Sequence, residues 1–260
     1  MTFENVLYEN HEGILYITLN RPEVRNALSP EMWRDLSAAV RAAREDEAVR
    51  VVVVTSAGDK ALASGADIRE LHDRHYLGQL AGTATQALKD LEDLYKPVIC
   101  AINGYALGGG CELAQACDIR IATRRSKFGQ PEVNLSLIPG AGGTQRLARI
   151  VGIGKAKELI YTGQIIEAEE ARRIGLVNVV TDDTREALME AVEKMARKIM
   201  EKGPVALMMA KISINMGTET DMNTGLMIER LAQTIALSTE DRKEGTAAFL
   251  EKRAPEFKGR

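Results

Sequence analysis

The segment 97–117, PVICAINGYALGGGCELAQAC, decides how this chain is read. Pro97 to Ile102 is a short apolar run with β-branched side chains, which suits a strand covered on both faces. Gly108-Gly109-Gly110 comes next, and Cys111 to Cys117 is compatible with helix. A triple glycine between a buried strand and a helix leaves free backbone N–H groups at a helix N-terminus, where the dipole is positive. Such a place stabilises an oxyanion. Glu112 falls in the first turn beside it and is the only charged residue from Pro97 through Cys117.

Outward toward the N-terminus, Gly13 to Asn20 (GILYITLN) is strand-like and is closed by Arg21-Pro22. Ser29-Pro30-Glu31 opens a helix with a capping Ser, Pro in the first turn and an acid beside it. Met32, Trp33, Leu36, Ala39, Val40 and Ala43 then recur at helical spacing down to Asp46. Val51 to Val54 reads as a second buried strand, and Tyr76 to Leu94 as the helix that precedes Pro97. Outward toward the C-terminus, Asp118–Thr123 and Leu176–Val180 read as short strands. From Thr184 onward the pattern is helical only, over 184–202, 204–215, 221–237 and 239–253. The alternation of strand and helix predicts an α/β core with a mainly parallel sheet over 1–200 and a helical C-terminal region over 201–260. The charged end (Lys252, Arg253, Lys258, Arg260) reads as a solvated tail.

A second lone carboxylate repeats the first pattern. From Phe128 through Gln145 the only charged residue is Glu132, and that segment carries Gly129, Gly140, Gly142 and Gly143. Carboxylates seldom sit in apolar segments unless paired or used, and burial raises their pKa toward the range of useful proton donors. Each feature has a plainer reading: a triple glycine serves as a tight turn, and an acid near a helix start complements the dipole. Two lone acids in two glycine-dense apolar segments weigh against both plain readings together.

Composition narrows the class. The chain has 260 residues, 45% hydrophobic and 27% charged, enough for a substantial core. A formal net charge of −3 gives no footing for a nucleic-acid surface. Cys100, Cys111 and Cys117, odd in number and set in apolar surroundings, argue for a reducing compartment. No stretch approaches the roughly 18 apolar residues of a spanning helix. The opening Met-Thr-Phe-Glu-Asn lacks the features of a signal peptide, so the expected location is cytoplasmic.

Several longer motifs occur in a fixed order: Ala63-Ser64-Gly65-Ala66-Asp67-Ile68, then Asn103 to Leu113, then Phe128-Gly129-Gln130-Pro131-Glu132, then Ile138 to Leu147. Together with Leu19-Asn20-Arg21-Pro22, Asn26-Ala27-Leu28, Thr162-Gly163, Ala171–Val177 and Arg242–Arg253, they resemble the crotonase (enoyl-CoA hydratase/isomerase) superfamily over essentially the whole chain. Within it they are most similar to the enoyl-CoA hydratases. The resemblance implies a ββα spiral core with a helical C-terminal trimerisation region, assembled as a hexamer, a dimer of trimers. It implies an acyl-CoA thioester substrate, no separate cofactor and no metal. It places the oxyanion hole on the amides of Ala66 and Gly109 and a catalytic acid–base pair on Glu112 and Glu132, Glu112 mainly as base and Glu132 as acid. It further places Ala66, Asp67, Ile68, Arg69 and Gly109 along the substrate, and Val24 and Arg25 near coenzyme A. The implied reaction adds water across the C2=C3 bond of a trans-2-enoyl-CoA, giving a 3-hydroxyacyl-CoA.

Competing assignments are weaker. His11 precedes Glu12, while His72 and His75 flank Asp73 in a polar stretch and read as exposed histidines rather than ligands. Cys111 reads as a small buried neighbour rather than a nucleophile. Gly140–Thr144 lacks the Lys-Ser/Thr ending of a nucleotide-binding loop. Met208-Met209 reads as core or subunit interface. Two alternatives stay open: Δ3,Δ2-enoyl-CoA isomerisation on the same scaffold, disfavoured by the acid pair, and a silent relative that binds RNA, disfavoured by the negative net charge.

Overall fold

The chain opens with a hairpin that its turn dictates. Glu12 and Gly13 take φ of 51° and 89°, the backbone of a two-residue hairpin loop, and pair β1 (Val6–His11) antiparallel with β2 (Ile14–Leu19). Helix α1 (Pro30–Glu45) follows, its first turn closed by Ser29 Oγ accepting from Met32 N at 3.3 Å. Its apolar stripe from Met32 to Ala43 is buried as the spacing predicts. Next come β3 (Val51–Ser56), β4 (Ala61–Ala63), α2 (Ile68–Asp73), α3 (Thr83–Glu92), β5 (Val98–Ile102), β6 (Tyr105–Leu107) and α4 (Gly109–Ala116). After them lie β7 (Ile119–Thr123), β8 (Lys127–Gly129), α5 (Gly143–Val151), α6 (Ile153–Thr162), β9 (Ile165–Glu167), α7 (Ala168–Arg173) and β10 (Val179–Thr181). Four helices finish the chain: α8 (Arg185–Met200), α9 (Pro204–Gly217), α10 (Met222–Ser238) and α11 (Glu240–Glu251). This computed structural model describes residues 3–73, 80 and 82–260, with Arg69 and Asp73 described by backbone alone.

The strands form two sheets. One has the order β1-β2-β3-β5-β7-β10, parallel from β2 onward; the other has β4-β6-β8-β9, parallel except for its last pair. Each pass of the chain supplies one strand to the first sheet, the next to the second, and then helix: β3-β4-α2, β5-β6-α4, β7-β8-α5. This is the ββα spiral. Every residue of β3 and β5 is buried, as the unbroken apolar runs predict.

By internal contacts the chain divides into Met1–Leu94 with Val98–Lys194, and Tyr95–Pro97 with Met195–Arg260. The second unit holds α9, α10 and α11. Two expectations need correction. The strand expected over Leu176–Val180 is β10, Val179–Thr181, set by its register on Ile121–Thr123; Leu176 and Val177 are buried ahead of it without pairing. The C-terminal end is not simply solvated. Its charged side chains are exposed, but the N–H groups of Lys258 and Gly259 donate to the buried Asp241 carboxylate at 2.6 and 2.8 Å, and Arg253 pairs with Glu244 at 2.6 Å. The helix expected from Tyr76 begins outside the described residues, which resume as α3. Among the described residues, no helix is long and apolar enough to cross a membrane.

Candidate active site

Helix α4 owes its position to a missing side chain. A Cβ at Gly110 would collide with the Ala63 carbonyl of β4, so only glycine lets the helix start against that strand. The first bond of its ladder runs from Glu112 N to Gly108 O at 2.9 Å, which leaves the Gly109 and Gly110 N–H groups without an intrahelical acceptor. A second free amide faces the same region for a different reason. Leu28 and Ala66 form an isolated parallel bridge in which Leu28 N donates to Gly65 O (2.9 Å) and Asp67 N to Leu28 O (3.4 Å). In that pattern the bridged residue's own N–H points away from its partner strand, so the Ala66 amide is turned outward from Leu28.

Ala66, Gly109, Glu112 and Glu132 line one cavity of about 910 Å³. Its walls are otherwise largely apolar, with Trp33 from α1, Ile68 and Leu71 from α2, Leu135 and Leu137 beyond β8, and Ile138 and Pro139 ahead of α5. Glu112 is 3% exposed, and its Oε1 accepts from the N–H groups of both Ala141 and Gly143 at 2.7 Å. The glycine-rich loop 140–144, read from sequence as a poor phosphate cradle, thus cradles a carboxylate of its own chain. Arg146 braces that loop, donating to Ala141 O at 2.9 Å while paired with Glu92 at 3.0 Å. Burial pushes the Glu112 carboxyl above the usual carboxylate range; the two N–H donors and the Arg146 guanidinium draw it partway back.

Glu132 stands on the 3₁₀ turn Pro131–Leu135 that follows β8. Its Oε1 lies 3.0 Å from where a Cβ at Gly108 would project, which sets the carboxyl against the start of α4. Burial pushes it up to about 7, its own backbone N–H opposes the rise, and the nearby Glu112 charge adds to it. Assigned with its nitrogen toward the ionised Glu132 carboxylate, the Gln130 carboxamide donates to Oε1 at 3.0 Å and Oε2 at 3.2 Å, while its oxygen accepts from Gln115 Nε2 at 3.1 Å. The opposite orientation would set an oxygen against both carboxylate oxygens.

Of the positions singled out in the sequence, Ala66, Ile68, Gly109, Glu112 and Glu132 therefore meet in one cavity. Asp67 does not line it; its carboxylate lies 3.7 Å from the Arg21 guanidinium. The Arg69 side chain and His75 lie outside the described residues. Val24 and Arg25 are exposed, and the Arg25 carbonyl accepts from Ser64 N at 3.1 Å, so the backbone there abuts the cavity wall. His72 is exposed on α2, and the His11 ring meets Tyr16 at a 60° tilt with centroids 5.6 Å apart. Burial pushes the Cys111 thiol up to about 12, far from a nucleophile's range, and all three cysteines are buried and free. Among the described residues, no three His, Cys, Asp or Glu side chains gather as metal ligands would. Sequence reasoning did not single out Gln130, Gln115 or Arg146. The only signal for the two glutamines was a polar residue inside an otherwise apolar stretch.

Comparison with known proteins places this architecture. The enoyl-CoA hydratase/isomerase family model matches residues 9–260. A crotonyl-CoA hydratase of Syntrophomonas wolfei is 43% identical over 99% of both chains. A short-chain-enoyl-CoA hydratase of Clostridium acetobutylicum is 44% identical over the full length of both. The crystal structure of an enoyl-CoA hydratase from Bacillus anthracis superposes with a TM-score of 0.94 at 41% identity, covering 99% of this chain and 100% of that one.

Proposed function

The chain belongs to the enoyl-CoA hydratase/isomerase family, and on that footing we propose that it reversibly adds water across the C2=C3 bond of a trans-2-enoyl-CoA. The observation that carries this reading is the convergence of a buried carboxyl, Glu112, a half-buried one, Glu132, and two free backbone amides on one apolar cavity. The thioester oxygen is held by the N–H groups of Ala66 and Gly109, which stabilise the charge that develops there as the double bond is attacked. Glu112 and Glu132 hold one water between them. Glu112, with two N–H donors on one oxygen, is suited to the ionised state and takes a proton from the water as its oxygen bonds to C3. Glu132, at about 7, keeps its proton near neutrality and delivers it to C2. The π bond is lost, C3–O and C2–H bonds form, and proton exchange through solvent returns Glu112 to carboxylate and Glu132 to acid. Dehydration is the same path reversed. No cofactor is required, because coenzyme A arrives as part of the substrate.

The pair also favours hydration over Δ3,Δ2 isomerisation, because a proton shift along the chain needs no second acid to activate water. The assay is turnover of crotonyl-CoA, repeated with longer 2-enoyl chains and with a 3-enoyl-CoA. Faster use of the 2-enoyl thioesters, with water incorporated, is expected; preference for the 3-enoyl isomer would replace hydration with isomerisation. We infer also a hexamer built as a dimer of trimers through the helical C-terminal region. Leu226, Met227, Leu231 and Ile235 on α10 are each about half exposed or more, an apolar face wider than a lone surface helix keeps. Sedimentation measures it directly.

A further inference from the structure

We propose that Gln115 is a positioning residue for Glu132, acting through Gln130, and that the direction of this two-amide chain governs how readily Glu132 releases its proton. The inference rests on the reading of Glu132 as the proton donor. Gln115 lies on α4, three residues beyond Glu112 and therefore on the same side of the helix. It is 4% exposed on a helix whose other side chains, Glu112 apart, are small or apolar.

Its contacts are lopsided. With the Gln130 amide assigned as above, the nitrogen is 3.1 Å from the Gln130 oxygen and 3.3 Å from Cys111 Sγ, whereas Oε1 is buried without a partner. An unpaired buried oxygen destabilises the fold, so Gln115 is a poor choice for packing, where a methionine of similar volume would serve better. What the nitrogen does achieve is polarity. A primary amide has one accepting end and one donating end. With the Gln130 oxygen committed to Gln115, only its nitrogen remains for Glu132, and that nitrogen reaches both carboxyl oxygens. Donation to a carboxylate favours the charged form and so eases proton release. Without Gln115, the Gln130 amide turns over freely and can offer its oxygen to the protonated acid, which holds the proton in place.

The test is Gln115→Met, assayed for enoyl-CoA hydration across pH. The expected result has four parts. The value of kcat falls roughly three- to tenfold and KM stays within about twofold, as for a group acting on the transition state alone. The alkaline limb of kcat moves upward by roughly half to one pH unit, as loss of donation to a charged group dictates. The melting temperature is unchanged or higher, because the unpaired oxygen is gone. Unchanged kcat with an unmoved limb overturns the proposal, and so does a lower melting temperature with an unmoved limb, which would mark a packing role. Should Gln115→Met fail to fold, the intact enzyme labelled with side-chain 15N glutamine gives the answer. The Gln115 amide resonance should titrate with Glu132 and lose that titration in Glu132→Gln; a flat response overturns the proposal. Normal turnover by Glu132→Gln would instead overturn the reading of Glu132 as acid, whereas an inactive Glu132→Gln beside an unaltered Gln115→Met refutes the Gln115 role alone.

Discussion

Replacing Gly143 with alanine adds one methyl group where three groups of the site already converge. Its Cβ would stand 2.7 Å from the Gln130 amide, 2.8 Å from Pro139 Cβ and 2.9 Å from Glu112 Oε1. Comfortable contacts of this kind are about 3.5–4.0 Å, so three neighbours must each retreat by roughly an ångström. Pro139 is stiff, and Glu112 Oε1 is tied at 2.7 Å to the N–H of Gly143 itself, so relief moves the carboxylate and the Gln130 amide together. A displacement of about 1 Å in a reacting group costs about 10²-fold in rate. The effect on stability is smaller. Overpacking costs about 1–3 kcal/mol, and the gain from Gly to Ala in a helix offsets up to about 1 kcal/mol of it. Gly143→Ala should therefore fold, melt slightly early and lose about 10²-fold in kcat, read from the loss of enoyl-thioester absorbance. Gly154→Ala on α6 is the control: nothing lies within 4 Å of its Cβ, so activity should be unchanged and stability equal or better. A Gly143→Ala enzyme with kcat within about threefold of the parent would refute the reasoning.

Other outcomes follow from the same geometry. A donor at about 7 must be protonated to act, so hydration should fall as pH rises above about 7, while on the acid side it should fall as Glu112 is protonated; a kcat profile checks both limbs. Because the folded pKa of Glu132 is raised, its protonated form suits the fold. That contribution is full below the unfolded value of about 4.3 and is lost as pH rises through about 7, so Glu132→Gln should lose less melting temperature than the parent between pH 5 and pH 8. Asp241→Ala removes the carboxylate that receives Lys258 N and Gly259 N, and carboxypeptidase should then trim the C-terminal residues much faster, followed by mass spectrometry. The native thiols of Cys100, Cys111 and Cys117 should resist alkylation until the chain is unfolded, as mass labelling would record.

Much of the first sheet was legible because its strands are long enough to show a pattern. Val51–Val54 and Pro97–Ile102 stand out as unbroken apolar runs, and Ser29-Pro30 marks a helix start that the apolar spacing then carries forward. The second sheet was invisible. Strands β4, β6, β8 and β9 have three residues each, too few to show alternation, and the first three contain alanine, glycine or lysine where β-branched residues would give a signal. β1 was missed because only Val6 of its six residues is fully buried. At the site, the lone charges of Glu112 and Glu132 stood out against apolar surroundings. The neutral amides of Gln115 and Gln130 had no such contrast. Arg146 finds Glu92 across 54 residues of chain, a pairing set by the fold rather than by local spacing.

The most direct test of the central claim is a double-mutant cycle on crotonyl-CoA hydration with Glu112→Gln, Glu132→Gln and the two combined. If both acids act on one shared water, either substitution alone removes most of the benefit, and the double variant should be no slower than the worse single by more than about threefold. Losses that multiply, each acid contributing independently of the other, would contradict the account.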